Sequence, residues 1–173
     1  MVAFRITREI RAPPEFVIEW WLDYSAADTA LTPGMLHRSV ERIDANRVHL
    51  STTTEFGGRV RTTDSTVTRT GPTSWHVTGH VISSGAVVST LQTTYWVQPT
   101  PSGSTLRADF EFLGRSWTWR LTLALSGYAL RRRQERSFRD YVAAIEIEYE
   151  KSRGRPSVGR SAGPVPDGTP PAS

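Results

Sequence analysis

Cysteine is absent from this 173-residue chain. That single absence excludes disulfides, thiolate nucleophiles and cysteine-ligated metal sites. Lysine is nearly absent too: of 21 basic residues only Lys151 is not an arginine. A strong charge of one sign is also missing from most of the chain. The net charge is +4, but Lys151, Arg153, Arg155 and Arg160 against Asp167 place +3 of it after residue 150. Residues 1–150 therefore carry +1, which gives no support to a nucleic-acid-binding domain. No stretch approaches the roughly 20 apolar residues of a membrane-spanning helix. The opening Met1-Val2-Ala3-Phe4-Arg5-Ile6 lacks a charged segment followed by an apolar core, so no signal peptide is expected and the chain is expected to be cytoplasmic. Within residues 1–151 there is no Gly-x-Ser-x-Gly, no Gly-Lys-Ser/Thr phosphate loop, no Gly-x-Gly-x-x-Gly and no His-Glu-x-x-His. Serine hydrolase, P-loop NTPase, dinucleotide enzyme and zincin readings lose their local support, and no cofactor is called for.

What is present is a change of period along the chain. Residues 2–11 alternate, with Phe4, Ile6 and Ile10 on one face, as in a half-buried strand. Ala12-Pro13-Pro14 stops the ladder, and proline followed by Glu15 suits the first turn of a helix. Phe16, Trp20 and Tyr24, flanked by Val17 and Trp21, fit a short amphipathic helix, and residues 25–35 leave room for a second before Pro33-Gly34. From about residue 37 the period is two. Asp44-Ala45-Asn46, Gly57-Gly58, Gly71-Pro72, Ser83-Ser84-Gly85 and Pro99 to Gly103 divide six segments rich in Val, Thr and aromatics. Such close turns make neighbouring strands antiparallel, and Gly57-Gly58 suits a two-residue hairpin. From about Trp117 to Lys151 the apolar residues step by three and four: Leu121, Leu125, Tyr128, then Phe138, Val142, Ile145 and Tyr149. This predicts one long helix, weakened at Gly127. A seven-stranded sheet with one apolar face must cover it, and only this helix is long enough. Residues 152–173, mostly Gly, Pro, Ser and Ala, are expected to form a disordered basic tail.

A strand, then Ala12-Pro13-Pro14-Glu15, then an aromatic-rich helix ending in Asp23, resembles the opening of the SRPBCC superfamily. That superfamily includes START domains, polyketide cyclases/dehydrases and lipid-transfer proteins. The resemblance spans the order of elements from residue 2 to about 151. It implies an α+β helix-grip fold, a curved antiparallel sheet around a C-terminal helix with an apolar cavity between them. It carries no catalytic residues across and implies no single activity.

The inward faces of the strands and helix then supply the expected lining of that cavity. These are Trp20, Trp75, Val77, Leu91, Tyr95, Phe110 and Phe112, with Leu121, Leu125 and Tyr128 from the helix. Gly79 and Ala108 lie in two of these faces and would leave room for a ligand or for close approach of the helix. The expected partner is a small hydrophobic or amphipathic molecule: a lipid, a polyketide or an aromatic metabolite. The alternative is a cyclase/dehydrase-type enzyme with an acid–base pair from cavity histidine, tyrosine or arginine, Tyr95, His80 and Tyr128 first among them; a third reading is attachment to an anionic surface or nucleic acid through the arginine run Arg131 to Arg136. His76 and His80, four residues apart on a strand, stand about 13 Å from each other and share no metal without a bulge. His37 and His49 have no obvious partner in the sequence. Glu19 and Asp23 read as a solvated helix face. Asp109 and Glu111, alternating with Phe110 and Phe112, should face outward, and Glu135–Arg139 suits an i, i+4 pair.

Overall fold

The computed structural model describes residues 1–24, 31–32, 34–56 and 58–154. Strand β1 (Val2–Ile10) leads into helix α1 (Pro14–Asp23). Six strands follow: β2 (Met35–Arg42), β3 (Arg47–Phe56), β4 (Arg59–Gly71), β5 (Ser74–Ser83), β6 (Ala86–Thr100) and β7 (Gly103–Gly114). Helix α2 (Trp117–Gly154) ends the described chain. The strands form one antiparallel sheet in the order β1-β7-β6-β5-β4-β3-β2. This is the expected helix-grip architecture. The second short helix expected over residues 25–35, and the tail after residue 154, fall largely or wholly outside the described residues.

Local sequence explains each junction. Pro13 is extended and Pro14 takes the first helical position of α1, where its missing N–H costs nothing. The buried Ser104 hydroxyl donates to the Ala12 carbonyl (2.9 Å), fixing the corner between β1 and α1. Phe56 pairs with Arg59, and Gly58 before Arg59 adopts φ +70°. Register shifts at Met35/His37, Arg69/Gly71 and Val81/Ile82 add local bend and twist to the sheet.

Helix α2 makes its closest backbone approach to β1 and β7. Gly127 lies at that contact: a Cβ there would stand 3.3 Å from Val2 Cγ1. Its role is close approach, and the helix runs unbroken through it. The C-terminal half of α2 is tied to the β1–α1 corner, with the Arg11 amide donating to Glu146 Oε1 (2.9 Å) and Trp20 Nε1 to Glu148 Oε2 (2.9 Å). Phe16 packs on Tyr149 at 5.1 Å.

Three expectations change. Gly79 faces inward, but a Cβ there would lie 2.7 Å from Ser65 Cβ and 2.8 Å from the Asp64 carbonyl oxygen. The neighbouring strand fills the space, so Gly79 neither widens a cavity nor admits the helix. Glu135 pairs with Arg131 (2.9 Å), one turn before it, in place of the expected Arg139. Leu121, Leu125 and Tyr128 are 52, 78 and 68% exposed, on the outer face of α2. The inward stripe is Trp119, Leu123, Leu130 and Phe138.

Asp109 faces outward, as expected, and accepts from Arg5 and Arg107 (2.6 Å each), joining β1 to β7; Arg107 also covers the Trp96 ring at 4.8 Å.

Two measurements check this reading. Gly79→Ala should destabilise the protein by about 1–3 kcal/mol in urea unfolding, since Ser65 and the Asp64 backbone must move. The hydrogen bonds from Arg107, and then from Arg5, hold the Asp109 carboxyl at about 2. A depressed folded-state value means stabilisation that is complete above about pH 4 and lost as pH falls toward about 2. Asp109→Asn should therefore flatten the fall of melting temperature across that window.

Candidate functional site

Because α2 rests on β1 and β7 at one side of the sheet, the concave face of β2 to β6 is left partly uncovered. A cavity of about 310 Å³ lies there, closed at one end by α1. Its size is at the low end of small-molecule sites. Trp21 forms the plug at that end. Its ring meets those of Tyr141 (5.2 Å), Phe138 (5.3 Å), Tyr95 (5.6 Å), Trp75 (6.1 Å) and Trp20 (6.4 Å). Tyr141 in turn hydrogen-bonds the Thr32 hydroxyl. These contacts join α1, β5, β6 and α2 in one rigid aromatic cluster.

Of the ten residues expected to line the cavity, Trp20, Val77, Leu91, Tyr95, Phe110 and Phe112 face it. Trp75 does not. It is fully buried behind Tyr95, the two rings stacked at 4.9 Å and 9°. Leu121, Leu125 and Tyr128 stand outside, as described above.

The lining is divided. Strands β5 to β7 and the inner face of α2 supply aliphatic and aromatic groups. Strands β2 to β4 supply Arg38, Thr52, Thr54, Arg61 and Thr63 beside the apolar Met35, Leu50 and Val67, and α2 adds Arg133 and Gln134 opposite them. No carboxylate lies among the described lining residues. Arg61 lies over the Trp119 ring at 5.4 Å. Burial lowers the proton affinity of Arg61 and of Arg133, and the charge of Arg61 lowers that of Arg133 further. Both remain cations, since arginine does not deprotonate in proteins. Each of the three arginines also has interactions within the chain.

Two further polar groups matter. Burial, with smaller contributions from Tyr24 and Tyr141, pushes the Tyr95 phenol well above its ordinary value, so it is neutral and able to donate. The Thr93 hydroxyl is buried in the cavity wall and has no hydrogen-bond partner among the described residues.

The sequence reading allowed for a cavity arginine but named none, although alternation from inward Val67 through Ser65 and Thr63 places Arg61 inward. It also missed Trp119, Leu123 and Leu130, a stripe of helical spacing that competed with Leu121, Leu125 and Tyr128. The histidines stand elsewhere. His80 is exposed on the convex face, His76 Nδ1 bonds Thr94 Oγ1 (2.8 Å), and His49 pairs with Asp64 (2.5 Å) across that outer face. The acid–base roles considered for His80 and Tyr128 therefore have no place in this cavity. One Gly-x-Ser-x-Gly match, Gly159 to Gly163, lies in the tail outside the described residues. Its Pro- and Gly-rich flanks carry neither the strand nor the helix pattern of a nucleophile turn.

Compared by sequence, the chain matches no family model and no curated protein. Compared by structure, it matches the Zhui aromatase/cyclase from Streptomyces sp. R1128 with a TM-score of 0.67 at 15% identity, over 94% of this chain and 98% of that one. A START superfamily protein from Mycobacterium smegmatis matches with 0.62 at 12% identity, over 88% and 99%. The fold is START-like. The di-domain aromatase/cyclase BexL of the BE-7585A biosynthetic pathway matches with 0.67 at 17% identity, over 89% of this chain but 50% of its own length. At these identities the likeness is one of fold, and the lining of the START-like cavity has to be read from this chain alone.

Thr93→Val tests that lining. Replacing an unpartnered buried hydroxyl by a methyl group of the same shape should leave the melting temperature unchanged or raise it, because nothing is lost in the empty protein. If the hydroxyl has a partner within the folded chain, the variant will be destabilised by about 1 kcal/mol or more.

Proposed function

We propose that the chain binds a small amphipathic molecule between its sheet and α2. The supporting observation is the divided lining. An apolar body is accommodated against Val77, Leu91, Phe110 and Phe112, while a polar or anionic group meets Arg38, Arg61 and Arg133. Burying roughly 200 Å² of apolar ligand surface contributes about 5 kcal/mol before the costs of association. A carboxylate or phosphate adds charge-assisted hydrogen bonds at the arginine end. The Thr93 hydroxyl offers one further bond. A lipid, a polyketide or an aromatic metabolite with an acidic group has this form. Binding and sequestration need no catalytic residue, which agrees with the absence of a recognisable catalytic motif in residues 1–151.

A second reading has one observation in its favour. Tyr95, neutral and able to donate, and three guanidiniums face the same space, so a bound poly-ketone would meet groups able to stabilise an enolate oxygen. That arrangement supports a cyclase/dehydrase-type reaction, and two of the structural neighbours are aromatase/cyclases by name.

Calorimetric titration with matched pairs, dodecanoic acid against dodecanol and a naphthoic acid against its methyl ester, separates the terms. The acids should bind about tenfold or more tightly than their neutral partners, and Arg133→Gln should remove most of that difference. Equal affinity within each pair would leave an apolar site without anion recognition. No saturable binding of any of the four would remove the binding reading itself. Tyr95→Phe retaining full turnover of a model poly-ketone, or no turnover at all, would remove the role proposed for that phenol.

A further inference from the structure

The first three turns of α2 carry a second apolar stripe, on the face opposite the cavity. Trp117, Leu121, Leu125 and Tyr128 step by four, four and three residues, so they lie along one line of about 16 Å. All four are exposed, Trp117 at 75%. The inward groups of the same turns are Trp119, Leu123 and Leu130, so the fold makes no use of the outer stripe.

Its surroundings are mostly of one sign. Between Glu111 and Glu135 the chain has no Asp or Glu and five arginines. Arg133 faces the cavity, while Arg115, Arg120, Arg131 and Arg132 are exposed beside the stripe. Arg132 lies over the Tyr128 ring at 5.0 Å, and Arg131 is paired with Glu135. Aromatic and aliphatic groups in a row, flanked by cations, are the composition of a helix lying in the plane of a bilayer surface. Tryptophan and tyrosine favour the headgroup level, and arginines beside them meet lipid phosphates.

We propose that this face of α2 docks the protein on an anionic membrane surface, with Trp117, Leu121, Leu125 and Tyr128 entering the boundary between headgroups and acyl chains. Charge decides against a second copy of the chain as occupant, because two such faces would bring arginines together with no carboxylate in the stripe to offset them. A nucleic acid would satisfy the arginines but would leave Leu121 and Leu125 without a partner.

Cosedimentation of the full chain with vesicles tests this. Vesicles of equal parts phosphatidylcholine and phosphatidylglycerol should retain the protein, pure phosphatidylcholine should not, and retention should fade with salt. Leu125→Glu should lower the partition coefficient by about tenfold or more, since it exchanges a buried leucine for a charge repelled by the surface. Both this position and those of Arg115 and Arg132 are exposed, so Leu125→Glu and the double variant Arg115→Gln/Arg132→Gln should keep the wild-type melting temperature. The double variant should weaken retention on the mixed vesicles at low salt. The proposal is overturned by failure to bind the mixed vesicles. It is equally overturned by undiminished binding of Leu125→Glu, which would assign retention to another part of the chain. Two other results exclude it: a dimer in solution that Leu125→Glu dissolves, or tighter binding of duplex DNA than of mixed vesicles.

Discussion

One helix has to cover a sheet that is too wide for it. The sheet has seven strands and a single concave apolar face, and α2 makes its closest backbone approach to β1 and β7 at one side. Gly127 sets that approach, because any side chain there would press on Val2. At the other end Phe16 and Trp20 hold the helix against α1. With both ends fixed, the helix cannot settle onto β2 to β5, and the space beneath its middle turns remains. The Trp21 cluster then keeps the opening from collapsing, since five other rings would have to repack together. The cavity thus follows from where the helix is anchored.

The composition of the lining follows from the same geometry. Strands under the helix contacts bury inward side chains against protein, and they carry Ile6, Leu106 and Ala108 there. Strands far from the helix face the open space and carry threonine and arginine inward: Thr52, Thr54, Arg61 and Thr63. Arginine is tolerated so deep because its stem packs on apolar surface while its head stacks, as Arg61 does on Trp119. Each of the lining arginines also has interactions inside the chain, so its charge is not left unmet in the empty protein.

The order of elements was legible because each signal was local and agreed with its neighbours. Pro13-Pro14 ended β1, Gly57-Gly58 made a hairpin, and the period changed from two to about three and a half near Trp117. Strand faces were legible too, since alternation admits only two choices and Val77, Leu91, Tyr95, Phe110 and Phe112 lie along the cavity. What was not legible depended on distance through space. Gly79 looked like a gap, but only the approach of β4 shows that Ser65 fills it. Trp75 has the right parity for the cavity, yet Tyr95 stands between them. Helix α2 was misread in its first turns because periodicity reports an apolar stripe without saying which way it faces. Two stripes exist there. The outer is the more continuous in sequence, while the inner is diluted by Ser126, Arg133 and Ser137, which face the cavity.

That dilution changes how the helix should be understood. A helix that covers a packed core has one apolar face, and its polarity falls steadily toward that face. Helix α2 meets this description only in its later turns, where Ile145 is fully buried. In its first turns both faces are apolar, with Trp119, Leu123 and Leu130 inward and Trp117, Leu121, Leu125 and Tyr128 outward, which is more than folding alone requires. Exposed apolar surface in a row favours association and is normally kept small. The inward Ser126 and Ser137 donate to the helix's own carbonyls at Thr122 and Arg133, whereas the outward apolar groups are a liability unless something covers them. The outer stripe occupies the first three turns, and the inward Arg133 and Gln134 follow it one turn later. A helix that only closed the sheet would have no such outer row, so the turns from Trp117 to Tyr128 carry more apolar surface than the stability of the fold explains.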